Sequence, residues 1–228
     1  MSNRSIHTLL KNWDEECPLT REEAVEVLSL PEEEMDSLME CAYALRTKYK
    51  GKKVSVQLLT NVRSGNCTQN CAYCAQSKDS QAEIEKYKRV SDEKLYGDND
   101  LVDEKHLARH CIGLSGIGFS DEEIEDLADR IREIKKKDTQ ICCSIGFLTE
   151  KQARILKDAG LDRINHNLNS SRSFYPEICT THTYDQRVNN IKMLQSLGFE
   201  ICSGGIVGMG ESKEDIVDML MDLREINP

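Results

Sequence analysis

Apolar residues recur along this chain with two different periods. Up to residue 53 the spacing is helical: Thr20-Arg-Glu-Glu23 forms a capping box ahead of Ala24, Val27 and Leu28, and Pro31 suits a first helical position. Met35, Leu38, Met39, Ala42 and Leu45 then repeat on one helical face until Gly51 stops the run. From Val54 onward, short runs of period two alternate with helical stripes such as Ile124, Leu127, Ile131, Ile134 and Val188, Ile191, Leu194, Leu197. Ser120, Thr149, Thr183 and Ser212 each open a capping-box pattern, with Glu123, Gln152, Gln186 and Asp215 three residues later. These starts recur at roughly thirty residues, the length of a βα unit. The pattern predicts an α/β fold with a parallel sheet, open or closed into a TIM-type barrel. Residues 1–53 form a helical extension and residues 54–228 the βα part, with about five units.

Side chains alternate across a strand, so each predicted strand sorts its residues onto two faces. Val54, Val56 and Leu58 oppose Ser55, Gln57 and Asn61; Cys111, Gly113 and Ser115 oppose His110, Ile112 and Leu114. Cys142, Ser144 and Gly146 oppose Ile141, Cys143 and Ile145. Arg163, Asn165, Asn167 and Asn169 oppose Ile164, His166 and Leu168, and Cys202, Gly204 and Gly208 lie together. One face is apolar and suits helices; the other is small or polar and suits a lumen holding polar molecules. Cys111, Cys142 and Cys202 share that second face, which points to a metal centre more than to three separate core thiols. Cys143 points the other way and reads as packing, Cys17 and Cys41 read as small apolar groups in the extension, and Cys179 falls in a loop whose parity cannot be read.

The net charge of −10 argues against nucleic acid or an anionic membrane as partner. No apolar run reaches membrane-spanning length, and the N-terminal segment carries no apolar signal core. The expected setting is cytoplasmic and reducing, where ten cysteines mean metal or catalysis more often than disulfides.

The densest chemistry is Cys67-Thr-Gln-Asn-Cys71-Ala-Tyr-Cys74, three thiols on one short stretch with no cysteine or histidine nearby to complete four ligands. A structural zinc site closes with four ligands, and a cluster that only carries electrons normally has four cysteines. Three ligands leave a coordination position open for a reacting molecule. The C-x3-C-x2-C spacing with Tyr73 before the last cysteine resembles the signature of the radical S-adenosylmethionine enzymes, in which three cysteines hold a 4Fe-4S cluster and its fourth iron binds the cosubstrate.

Asn61-Val-Arg-Ser-Gly-Asn-Cys67, Arg163-Ile-Asn-His-Asn-Leu-Asn-Ser170, Thr180-Thr-His-Thr-Tyr-Asp-Gln-Arg187 and Cys202-Ser-Gly-Gly-Ile-Val-Gly-Met-Gly-Glu211 resemble, in order, segments of the biotin synthase family. The resemblance implies that Cys67, Cys71 and Cys74 ligate the 4Fe-4S cluster, and that Cys111, Cys142 and Cys202 ligate an auxiliary iron-sulfur cluster, 2Fe-2S or larger. It implies that Asn165, Asn167 and Asn169 contact the ribose of S-adenosyl-L-methionine or the dethiobiotin ring, and that Arg187 contacts the cosubstrate carboxylate. Tyr73 and the run carrying Gly204, Ile206, Gly208 and Glu211 are implied cosubstrate contacts, the run passing beside adenine. The implied reaction is sulfur insertion into dethiobiotin, with an electron donor such as flavodoxin or ferredoxin, and a homodimer. A hydrogenase-maturation or methylornithine-type radical enzyme, and a non-catalytic iron-sulfur or zinc module, are the other readings open to the same residues.

Two departures from that pattern stand out. Only Asp103 to Arg109 is evident for the first crossover, so its helix either starts earlier, near Glu93, or is trimmed. The chain also ends where a sixth strand is expected, short of the roughly 250 residues of an eight-unit barrel, so a partial barrel is expected.

Overall fold

The computed structural model describes residues 18–228. Cys17 lies outside the described residues. The extension holds α1 (Arg21–Val27), a single 3-10 turn (Glu32–Glu34) and α2 (Met35–Lys50). The Thr20/Glu23 capping box forms, and Gly51 ends α2 at a φ of +63°. α1 docks on the last helix through Arg21–Asp218 and through Arg224 Nη1, which donates to Leu19 O at 2.8 Å. Two expectations change here. Pro31 caps the 3-10 turn instead of entering a helix, and no residue of α2 is buried: its Met39 is 62% exposed and Cys41 is half-buried.

The rest alternates strand and helix: β1 (Gln57–Arg63), α3 (Asp92–Glu104), β2 (Arg109–Leu114), α4 (Asp121–Ile134), β3 (Ile141–Ser144), α5 (Glu150–Asp158) and β4 (Arg163–Asn165). The short α6 (Tyr175–Ile178), α7 (Tyr184–Ser196), β5 (Glu200–Cys202) and α8 (Lys213–Ile226) follow. The five strands pair in the order β1-β2-β3-β4-β5, all parallel, and among the described residues β1 and β5 are the edges. All four predicted capping boxes are present, and Ser91 caps α3, so the first crossover helix starts beside Glu93. Each capping box satisfies two of the amides that a helix start leaves unpaired, and Ser91 satisfies one. Among the described residues no helix is long and apolar enough to cross a membrane.

The core lies between the sheet and α3, α4, α5 and α7. Ile112, Ile164 and Cys143 on the strands and Ile124, Ile131, Leu156 and Ile191 on the helices are fully buried. Each such aliphatic side chain contributes about 1.5–3 kcal/mol by leaving water. Cys143 is packing, as its parity predicts, and burial pushes its thiol well above the ordinary range. Register aligns the opposite face in rows: Leu59, Cys111, Cys142, Arg163 and Glu200 in one, Asn61, Gly113, Ser144, Asn165 and Cys202 in the next.

Three strand limits differ from expectation. β1 starts only at Gln57, so Val54 and Val56 are exposed (78% and 58%) and cover no helix. β4 ends at Asn165, leaving Asn167 and Asn169 on the loop beyond it; Asn169 turns the chain at a φ of +70°. β5 ends at Cys202, so Gly204 to Gly208 follow it as irregular chain, tied to β4's loop by a parallel bridge from Asn169 to Gly205.

Candidate active site

The thiol stretch has no regular structure of its own and is held by contacts across the chain. Asn70 works as a clamp: its Nδ2 donates to Thr180 Oγ1 at 2.7 Å, and its Oδ1 accepts from the amides of Thr180 and Thr181 at 3.0 and 3.3 Å. Ala72 N donates to Ile178 O at 2.9 Å, and Lys78 N closes the loop onto Gln69 O at 2.9 Å. These bonds place the loop over the C-terminal ends of the strands, the usual functional end of parallel βα proteins.

Cys67, Cys71, Tyr73, Cys74, Asn165, Asn167, Asn169 and Arg187, eight of the expected residues, line one cavity of about 240 Å³. Gln69, Ser115, Ser144, His166 and His182 line it too. Gly146 lines it as well, at a position where a Cβ would collide with the Ile117 carbonyl. Asn169 Nδ2 donates to Tyr73 OH at 2.6 Å, tying the cysteine loop to the β4 loop, and burial pushes the Tyr73 phenol far up. Although only Asn165 of the three asparagines sits in a strand, all three reach the cavity.

Arg187 is the cation of the site. Its guanidinium donates to Tyr175 OH, to Asn167 O at 3.1 Å and to His182 Nε2 at 2.8 Å, and among the described residues no carboxylate pairs with it. Because an arginine can only donate, His182 Nε2 accepts, so Nδ1 carries the proton and donates to Gln69 Oε1 at 2.9 Å. Burial and the nearby Arg187 charge pull His182 down to about 4 and His166 down to about 3, so both rings are neutral. His166 Nε2 is a buried acceptor with no partner on this wall. A guanidinium on this cavity with no carboxylate partner among the described residues suits a ligand carrying a carboxylate.

Cys67 and Cys74 do not join Cys71 in any trio of ligand atoms within 4.8 Å among the described residues. Three thiolates on one zinc ion, with bonds of about 2.3 Å, would lie closer than that. The spread instead suits a multi-iron cluster, whose cysteines ligate separate metal atoms. Burial, and after it the neighbouring Cys179, pushes the Cys71 thiol up to about 11.

The strand thiols share this face of the sheet but do not line the cavity; Cys111 and Cys202 are half-buried and Cys142 is buried. Cys111 and Cys142 are register partners on β2 and β3, and Cys202 sits one row further along on β5. The bond from Cys142, with Arg109 and Arg163 nearby, draws the Cys111 thiol down to about 7, while Cys142 is held high by that same bond and by burial. Gln57 Oε1 accepts from Cys111 Sγ at 2.9 Å.

The structure does not bring Gly204, Ile206, Gly208 or Glu211 into the cavity. They run behind Asn167 and Asn169, where Ile206 N donates to Asn169 O at 2.8 Å and Glu211 accepts from the amides of Gly208 and Met209 at 2.6 and 2.7 Å. What sequence reasoning missed is the Cys179–His182 pair behind Cys71. The two segments are 108 residues apart, and neither period nor spacing links them.

Comparison with known proteins agrees with this geometry. A family model described as the Radical SAM superfamily matches residues 61–223. The biotin synthases of Geobacillus kaustophilus and Bacillus subtilis strain 168 are 41% and 40% identical over 210 residues, which is 92% of this chain and 63% of theirs. The chain thus spans just under two thirds of the length of these curated relatives. A methylornithine synthase superposes with a TM-score of 0.84 at 17% identity, covering 97% of this chain and 64% of that one. The FeFe-hydrogenase maturase of Carboxydothermus hydrogenoformans follows at 0.80 and 20%, covering 96% and 53%. These two share the fold. With the cysteine stretch and most of the sheet inside the matched region, this chain belongs to the radical SAM superfamily, and membership implies a 4Fe-4S cluster and S-adenosylmethionine.

Proposed function

We propose that the chain is a biotin synthase-like radical SAM sulfurtransferase that inserts sulfur into dethiobiotin to form biotin. One observation carries this reading: two sets of thiols, one on the loop and one on the strands, belong to the same side of one sheet, and beside the first set stand three asparagines and an arginine with no carboxylate partner among the described residues. In this reading Cys67, Cys71 and Cys74 hold the 4Fe-4S cluster, and Cys111, Cys142 and Cys202 hold an auxiliary iron-sulfur cluster. When bound, these groups and S-adenosylmethionine supply a carbon-centred radical able to take hydrogen from unactivated carbon, and the sulfur to be inserted.

The residues of the chain bind and orient. Arg187 takes the cosubstrate carboxylate, for which a buried guanidinium without an acidic partner is matched in charge. Asn165, Asn167 and Asn169 present amides to a ribose or to the ureido ring of dethiobiotin, and Tyr73 fixes Asn169 at 2.6 Å so that its amide does not turn freely. Neutral His166 and His182 add polarity to the wall without a second positive charge. Gly204 to Glu211 form the wall behind these loops and reach the adenine side of the cosubstrate from there. A flavodoxin or ferredoxin supplies electrons, and the enzyme works as a homodimer in the cytoplasm.

The test is iron, sulfide and zinc content of anaerobically reconstituted protein, comparing wild type with Cys71→Ala and Cys142→Ala, followed by conversion of dethiobiotin under flavodoxin reduction. Each variant should lose one distinct set of irons, about four for the loop site. If the Cys142 change leaves iron and sulfide untouched, the strand thiols hold no cluster and sulfur insertion is the wrong reaction.

A further inference from the structure

Among the described residues Cys179 is the one thiol beside the cavity to which neither the cluster loop nor the strand set gives a role. It is 3% exposed, does not line the cavity, and its Sγ lies 3.8 Å from Cys71 Sγ. Cys71, by contrast, faces the cavity. The backbones carrying the two thiols are held side by side, by Ala72 N donating to Ile178 O at 2.9 Å and by the Asn70 clamp on Thr180 and Thr181. A disulfide needs its sulfurs at about 2.05 Å, so the two thiols, already at 3.8 Å, have only a short approach left to make.

Cys71, Cys179 and His182 are also the one trio of metal-ligating atoms within 4.8 Å among the described residues. The hydrogen bonds argue against an ion there. Arg187 occupies His182 Nε2, so the nitrogen facing Cys179 at 3.3 Å is the protonated Nδ1, and a guanidinium stands two bonds away. What remains is a pair of buried thiols, of which only Cys71 lines the cavity.

We propose that Cys71 and Cys179 form a disulfide in the cluster-free protein, with Cys71 taking the oxidant from the cavity and Cys179 resolving it. With a low-molecular-weight disulfide such as oxidised glutathione, the Cys71 thiol first displaces one glutathione and forms a mixed disulfide, its proton leaving with the displaced thiolate. The Cys179 thiolate then attacks Cys71 Sγ, forming the internal bond and releasing the second glutathione. Two thiols are oxidised and one glutathione disulfide is reduced to two glutathiones. The product withholds one loop ligand from iron until a reductant restores it, which makes loss of the cluster reversible instead of exposing Cys71 to irreversible oxidation. Its consequence for cluster loading rests on the proposed function; the disulfide itself does not.

The experiment uses the full chain, purified without iron, treated with oxidised glutathione, alkylated and digested with trypsin. Cleavage after Arg63, Lys78, Arg172 and Arg187 gives peptides 64–78 and 173–187, and these should appear cross-linked, with fragment ions joining Cys71 to Cys179. Cys179→Ser should instead trap one glutathione on Cys71, the signature of a missing resolving thiol. Oxidised wild type should take up iron at the loop site only after dithiothreitol. The proposal is overturned if Cys71 pairs with Cys67 or Cys74, if the two peptides stay separate, or if the cluster-free protein retains zinc that Cys179→Ser loses. Because mapping is done without iron, a protein that forms the bond yet never assembles a cluster would sink the proposed function alone.

Discussion

On the helix side of the sheet Thr60, Ile112, Cys143, Ile164 and Ile201 are each no more than 6% exposed, whereas on the other face Gln57, Leu59 and Asn61 of β1, Ser144 of β3 and Glu200 of β5 are open and, of the strand thiols there, Cys142 alone is buried. The backbone is common to both faces, so the difference lies wholly in side-chain parity. The apolar face fixes register, because a one-residue slip would turn every buried isoleucine outward. That fixed register is what brings Cys111 and Cys142 opposite each other on the other face, whose polar groups contribute little to the core and are free to serve chemistry. The helix face holds the sheet, and the open face uses the placement that results.

The sharpest way to break this division is to truncate one side at a time. Ile164→Ala, fully buried on β4, should cost about 2–5 kcal/mol in urea unfolding, whereas Asn165→Ala, its neighbour on the open face, should cost less than about 1 kcal/mol. Equal losses would mean that the open face also supports the fold.

Next in size is a change that empties the site of its charge and also removes the three hydrogen bonds that Arg187 donates, so its binding effect is read beside an unfolding curve. Arg187→Met removes a guanidinium with no acidic partner among the described residues. It should weaken S-adenosylmethionine binding to reconstituted protein about ten- to a hundredfold, from the roughly 1.5–3 kcal/mol of a charged hydrogen-bonding pair. Arg187→Lys keeps the charge without the fork and should fall between. Unchanged affinity for Met would remove Arg187 from the cosubstrate site.

The helix face carries one titratable surprise. His110 is fully buried there, with Nε2 at 2.8 Å from Thr60 Oγ1, which itself donates to Asp98 at 2.7 Å. Burial pulls this imidazole down to about 4. Its folded-state value is below the unfolded one of about 6.5, so the unfolded chain takes up a proton that the folded chain refuses. Stability from this group is complete above pH 6.5 and is lost as pH falls towards 4, on the order of 3 kcal/mol in all. His110→Gln should flatten that part of the stability curve. A curve of the same slope in both proteins would place the acid sensitivity elsewhere.

Parity along β2 and β3, the capping boxes and the cysteine spacing were all legible in the amino-acid order, because each rests on contacts within a few residues or on one repeating geometry. Legibility ended where the strands do. Asn167 and Asn169 fit the alternation on paper, yet β4 stops at Asn165 and they reach the cavity on a loop whose left-handed turn at Asn169 no period announces. Val54 and Val56 obey strand alternation while preceding the strand, so the helices never cover them. The exposed Met39 shows the same limit: an amphipathic stripe states which face could be buried, not that a partner is there. Cys179 was unreadable because its meaning lies in a contact with a segment remote in sequence.

Asn70 tests that last kind of contact with the smallest expected effect on the fold. It is a polar residue between two cysteines, half-exposed, and nothing in its own neighbourhood marks it as more than loop. Yet its one amide group meets both the amides and the hydroxyls of Thr180 and Thr181. Since bonds near solvent are worth about 0.5–1.5 kcal/mol each and share the cost of ordering one side chain, Asn70→Ala should lower global stability by only about 1 kcal/mol. The loop that carries Cys71 is where the loss should show, as iron uptake slowed severalfold during reconstitution at unchanged circular dichroism. Asn70→Asp keeps the acceptor for both amides and gives up only the donor to Thr180, so it should load iron at closer to the wild-type rate. If Asn70→Ala loads iron as fast as wild type, the Ala72–Ile178 and Lys78–Gln69 backbone bonds suffice to hold the loop, and the clamp does not position the candidate centre.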